Sequence, residues 1–230
     1  MINDIKLGFK VMKYGFQYKT ILWLGLVFFG LGVVFELFIN DSVLGGLYLM
    51  LCSSYAFQLV ITPTVSKMVC SSFAKKKLQT SIPCIFTAIM GIIAYTLYFA
   101  AKFIRMYVLV PERAVGENYQ AECIMAITVI FLAIVMPIYN AVAYKKFVLG
   151  LVVMLVCLLP FVFLSSSGAL SRMVFAFAGN STNLSLVPVM LLGYAAVIVG
   201  AFISYFFTLM LYKFEMDPKT YRSAMAKAGK

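Results

Sequence analysis

The side chains that usually carry chemistry are scarce in this chain. It has no histidine, which removes imidazole acid–base catalysis, Ser–His and Cys–His nucleophiles and histidine-bearing metal sites. The five cysteines, Cys52, Cys70, Cys84, Cys123 and Cys157, show no C-x-x-C spacing. Most fall in or beside apolar runs, where a thiol packs as a small hydrophobe. There is no G-x-x-x-x-G-K-[ST] and no G-x-G-x-x-G after a strand, so nothing cradles a nucleotide. An H-E-x-x-H helix and an intramembrane Asp pair are missing too. No catalytic, cofactor-binding or metal-binding residue is therefore expected. What remains is a pair of ionisable residues inside apolar runs, Glu36 and Lys102, and two basic stretches, over 1–19 and 65–82.

The elements that must hold these residues are membrane spans. The chain of 230 residues is 63% hydrophobic and only 12% charged, against about half and about a quarter for a soluble domain. A chain of this length cannot hide that much apolar surface from water by folding on itself. Its mean hydropathy is +1.00. Runs long enough to cross a bilayer, about 20 residues each, occur at about 20–38, 43–64, 83–104, 123–143, 147–164 and 186–211. The expected fold is all-α and integral to the membrane, with six transmembrane helices over 20–211 and an N-terminal interfacial amphipathic helix over 1–19. A cytoplasmic tail is expected over 212–230. The residues before the first run do not read as a cleavable signal peptide, because that run is too long and no small-residue cleavage site follows it.

Charge orients the spans. Alternate connections put 15 of the 19 Lys and Arg residues on one side and four on the other, Lys102, Arg105, Arg113 and Arg172. The positive-inside rule then places both termini in the cytoplasm of a multi-pass cell-membrane protein. The net charge of +11 is thus a topology signal rather than a sign of nucleic acid. Two outer loops are expected, about 105–122 and about 165–185, the second with a semi-apolar stretch at 168–179. Three N-x-[ST] sequons, at Asn40, Asn180 and Asn183, map to the outer side. Glu36 and Lys102 sit near outer span ends, where they are expected to snorkel. The span centres hold no charge, which disfavours an ion-coupled pathway. Polar residues in the second, fourth and sixth spans (Ser53, Ser54, Tyr55, Gln58, Tyr139, Asn140, Ser204, Tyr205) read as glue between helices or as a substrate path.

Two basic stretches carry the sharper patterns. Ile5, Phe9, Met12 and Phe16 recur at helical spacing while Lys6, Lys10 and Lys13 fall on another face. That is an amphipathic helix lying in the interface, either as an anchor or as an elbow that moves the first span. The loop at 65–82 mixes Phe73 and Leu78 with Lys75, Lys76 and Lys77. It reads either as a stop signal bound to anionic lipid or as a docking element with Phe73 and Leu78 as knobs in a charged rim.

This layout resembles the permease subunits of ABC transporters of the ABC-2 class. The segment KKKLQTSIPCIFTAIMG is similar to that family's polar helix followed by Leu-x-x-Ser-[Leu/Ile]-Pro entering the third span, here Leu78, Ser81, Ile82 and Pro83. The stretch at 168–179 resembles the family's outer helices. The chain departs in having Cys84, with no basic residue soon after Pro83. The resemblance implies a homo- or heterodimer of permease chains working with separate cytoplasmic ATP-binding subunits. ATP and Mg would be held by those partners. Phe73, Lys75, Lys76, Lys77, Leu78, Ser81 and Pro83 would form the ATPase-docking coupling loop, which transmits closure of the nucleotide domains. Substrate, whether peptide, lipid-like molecule or drug, would pass between the two permease copies. Two other readings share the six-span layout: a substrate-binding membrane subunit of a vitamin-uptake transporter, and a non-transport assembly or immunity protein.

Overall fold

The computed structural model describes residues 2–15, 17–39, 43–65, 69, 71–166 and 185–214. Phe16, the three sequons, the outer stretch at 168–179 and the tail from 215 onward lie outside the described residues. All regular structure among the described residues is helical. The helices are α1 (Ile2–Met12), α2 (Tyr18–Phe38), α3 (Leu44–Ile61), α4 (Lys75–Gln79), α5 (Ser81–Ile104), α6 (Gly116–Ala143), α7 (Phe147–Ser166) and α8 (Leu186–Leu211).

Among the described residues five segments are long and apolar enough to cross a membrane: Tyr18–Phe38, Leu44–Thr64, Ser81–Leu109, Asn118–Ala143 and Leu186–Leu211. They fit a multi-pass helical membrane protein. The fifth predicted span, 147–164, coincides with α7, whose described apolar part, Phe147–Cys157, is shorter than a full span. α3 and α6 are the most buried spans and α2 the least. α8 packs along α6, α2 along α3, and α3 along α5. The main core gathers Leu49 and Met50 from α3, Tyr95, Tyr98 and Phe99 from α5, Val129 and Met136 from α6, and Val189 and Val197 from α8.

Between apolar helices in lipid, association rests on close packing rather than on water exclusion, and small residues permit it. At the α2–α3 crossing a Cβ on Gly45 would stand 2.7 Å from the Glu36 backbone nitrogen, so only glycine fits. At Gly193 of α8 the space of a Cβ is taken by the phenol end of Tyr95, whose hydroxyl donates to the Val189 carbonyl at 3.3 Å.

The predicted outer loop at 105–122 is instead mostly helix. α5 runs on through a wide π turn, Arg105–Leu109. A 3-10 turn follows at Pro111–Ala114, and α6 begins at Gly116. Gly116 has φ +64°, a left-handed conformation that glycine adopts without a Cβ penalty. Hydropathy ends the third span at its first charges. The chain does not, because those charges are paired within the bundle.

Candidate functional site

α1 and the loop after α3 form one end of the molecule. α1 has Asp4 in its first turn and Lys10 in its last, each matched to the helix dipole. Met12 is buried with Ala56, Val60, Leu78, Ile82 and Phe86, and Ile5 packs against that cluster. Phe9 sets its ring edge-on to Phe86, centroids 5.0 Å apart, although much of it stays exposed. Lys6, Lys10 and Lys13 point outward. α1 ends at Met12, short of the expected 1–19, and within it Met12 turns inward while Lys6 and Lys10 are exposed.

The loop begins with a 3-10 turn at Thr62–Val65 and reaches α4 through a turn in which the Lys75 amide donates to the Ser72 carbonyl at 3.1 Å. Phe73 stands at its tip, fully exposed. Lys76 and Lys77 are exposed, Lys75 half-buried. Lys77 Nζ pairs with Asp4 Oδ1 at 3.0 Å, tying α4 to α1. The hydrogen bond from Lys77 holds the Asp4 carboxyl below its ordinary range. Leu78, expected as a second exposed knob, is buried in the cluster around Met12. Ser81 is half-buried and Pro83 is buried in the first turn of α5, where the missing proline N–H costs nothing.

Gln79 joins this loop to the ends of two spans. Its carbonyl accepts from the Tyr144 hydroxyl at 3.1 Å. Its side-chain Oε1 accepts from Lys145 Nζ at 3.3 Å. Lys145 also donates to the Phe214 carbonyl at 2.7 Å. So a buried knot holds the end of α4 against the last turns of α6 and α8. Lys145 reads in the sequence only as positive-inside charge. Its buried role depends on three chain ends meeting, which spacing does not reveal.

The opposite end holds a constellation that sequence reasoning missed. Glu36 and Lys102 do not snorkel; both are buried. Lys102 Nζ lies 2.5 Å from Glu122 Oε2 and 3.2 Å from Glu36 Oε1. Arg105 pairs with Glu122 and also donates to the backbone carbonyls of Glu36 and Ile39, each at 3.1 Å. Arg113 reaches Glu122 Oε1 at 2.8 Å. Two carboxylates and three cations thus join α2, α5 and α6, and the Arg105 guanidinium also caps the last turn of α2. One signal was available: carboxylates and cations of 36, 102, 105 and 122 all fall at the same predicted end of their runs.

Most polar residues inside the spans bond locally or between helices. Asn140 Nδ2 donates to Ser54 Oγ at 2.8 Å, joining α6 to α3. Cys84 Sγ lies 3.5 Å from Ser204 Oγ, joining α5 to α8. Ser53 bonds its own helix at the Met50 carbonyl. Gln58, Tyr139 and Asn140 line a small mixed cavity of about 180 Å³ near Phe57 and Tyr144. A larger cleft of about 800 Å³, almost wholly apolar, runs between α1, α2, α3 and α5. Among the described residues no group of His, Cys, Asp or Glu is placed to hold a metal.

No known protein family, no curated protein and no solved structure matches this chain.

Proposed function

We propose that the chain is the membrane-spanning permease subunit of an ATP-driven exporter of the ABC-2 class. In this reading it has six spans, with both termini in the cytoplasm. It pairs with a second permease chain and borrows its energy from a cytoplasmic ATP-binding subunit. The observation that carries the reading is the build of the loop at 69–80. Its tip offers Phe73 above Lys76 and Lys77, while its base is held by Gln79 to Tyr144 and Lys145. A force applied at Phe73 reaches α1 through Lys77 and Asp4, and reaches α6 and α8 through Gln79. A simple topology signal needs the lysines but neither the exposed aromatic nor the buried knot.

Two further features support the reading. The chain has no nucleotide-binding motif of its own. Its buried carboxylates, Glu36 and Glu122, lie in ion pairs at one end rather than along a path through the span centres. Ion coupling needs such a path.

The test is co-expression with a candidate P-loop ATPase from the same genome, followed by purification in detergent. A stable complex with ATPase activity is expected. The Phe73→Ala, Lys76→Glu, Lys77→Glu variant loses the complex while the permease still purifies as a folded chain. A wild-type chain that binds no ATPase overturns the reading.

A further inference from the structure

The loop reading above makes no use of the apolar cleft between α1, α2, α3 and α5. Its walls are Phe9 and Met12 of α1, Ile21, Gly25 and Phe29 of α2, Cys52 and Tyr55 of α3, and Ile89 and Ile93 of α5. It is open along one side, and at about 800 Å³ it is the size of an ordinary ligand pocket. It follows α2, the least buried span, whose neighbouring side chains Trp23, Leu26 and Val27 face outward. The cleft therefore opens toward bilayer, where an empty apolar channel loses contacts on every wall.

One wall residue is charged. Lys13, just past the end of α1, lines the cleft. It is exposed and makes no ion pair among the described residues. Lys6 and Lys10 are exposed on the same helix. An apolar cleft with the ammonium of Lys13 on its wall is complementary to an anion carrying a long hydrocarbon chain. A chain seated there gains close packing with the cleft walls rather than water exclusion, and a lysine near an anionic headgroup adds attraction.

We infer that this cleft is a phospholipid site: an acyl chain lies between α2 and α5, and the anionic headgroup sits on Lys13. The lipid would complete the packing of α1 against the bundle, since Phe9 and Met12 touch both the cleft and the cluster around Phe86. The site depends only on the helices being spans, and it stands or falls independently of the ATPase partner.

The experiment is native mass spectrometry of the full chain released from nanodiscs of equal parts phosphatidylglycerol and phosphatidylcholine. The wild type is expected to retain one phosphatidylglycerol in preference to phosphatidylcholine. Lys13→Glu lowers that preference about fivefold, and Lys13→Arg keeps it. Gly25→Phe fills the channel and loses lipids of both kinds. A Cβ at Gly25 meets nothing nearer than Tyr55 Cβ at 3.7 Å, so the substitution begins without a backbone clash, and thermal melting of the variant checks that it folds. Equal retention of the two lipids, a second copy of the chain in place of lipid, or full retention by Gly25→Phe each overturns the proposal.

Discussion

Lys102 Nζ lies 2.5 Å from Glu122 Oε2, and the two side chains are 1% and 0% exposed. Glu122 also meets Arg105 and Arg113, whereas Glu36 has only Lys102 within ion-pair reach among the described residues. Removing one partner of a buried pair leaves its counter-charge uncompensated, at about 3–5 kcal/mol. Glu122→Gln is therefore expected in that range, measured as loss of unfolding free energy in detergent. Glu36→Gln costs less, because Lys102 keeps Glu122, whereas Glu122→Gln takes a carboxylate from three cations. The double variant Lys102→Met, Glu122→Gln costs less than the sum of its singles, since their shared ion pair is lost only once. A double variant that is strictly additive shows that the two residues do not act as a pair.

Phe73 and Leu78 separate binding from folding. Phe73→Ala removes a side chain that touches nothing in the isolated chain, so stability moves by no more than about 0.5 kcal/mol. If Phe73 seats in a partner, the same change weakens the complex by about 2 kcal/mol, as for an aromatic anchor. Leu78→Ala does the reverse: it opens a cavity beside Met12 and Phe86 and costs about 2–5 kcal/mol of stability. Thermal melting of the purified chain beside pull-down of the ATPase reads both effects at once.

The spans were legible because a bilayer enforces length and hydropathy together. The predicted runs at 20–38 and 186–211 match α2 and α8 to within two residues. The amphipathic pattern of Ile5, Phe9 and Met12 likewise marked α1. What failed was the inference from charge to exposure. Arg105 and Glu122 read as loop because a charge alone in lipid is costly, yet as partners they extend α5 and begin α6. Leu78 failed for a related reason. On so short a helix, five residues long, periodicity does not say which side faces the core. The knot of Gln79, Tyr144, Lys145 and Phe214 was invisible because its members are far apart in sequence and meet only through the packing of α4, α6 and α8.

That knot makes its own prediction. Lys145 holds Gln79 Oε1 and the Phe214 carbonyl at once. A hydrogen bond from a charged donor is worth about 1.5–3 kcal/mol, so Lys145→Met should destabilise the chain by about that much. Under the proposed function, the same variant leaves ATPase binding intact but uncouples it. Phe73 and the exposed lysines are untouched, while the bridge from Gln79 through Lys145 to Phe214 is cut and the Tyr144 hydroxyl alone still holds Gln79. Hydrolysis without substrate movement in proteoliposomes is the expected signature. Equal loss of binding and transport assigns Lys145 a purely structural role.

The contact between α1 and α4 is expected to respond to acid. Asp4 has its pKa lowered below the ordinary 3.8 by the hydrogen bond from Lys77. A depressed carboxylate contributes its stabilisation above the unfolded value and loses it as pH falls through the folded one. The attachment is thus complete at neutral pH and fades only at pH below 3.8. Because Lys77 is well exposed, salt weakens the pair as well. Spin labels on α1 and α4 should report a fixed distance from neutral pH down to that range and a broadened one below it. Asp4→Asn should show the broadened distance at every pH. A distance in the wild type that begins to broaden near neutrality would mean that a group other than Asp4 holds α1 in place.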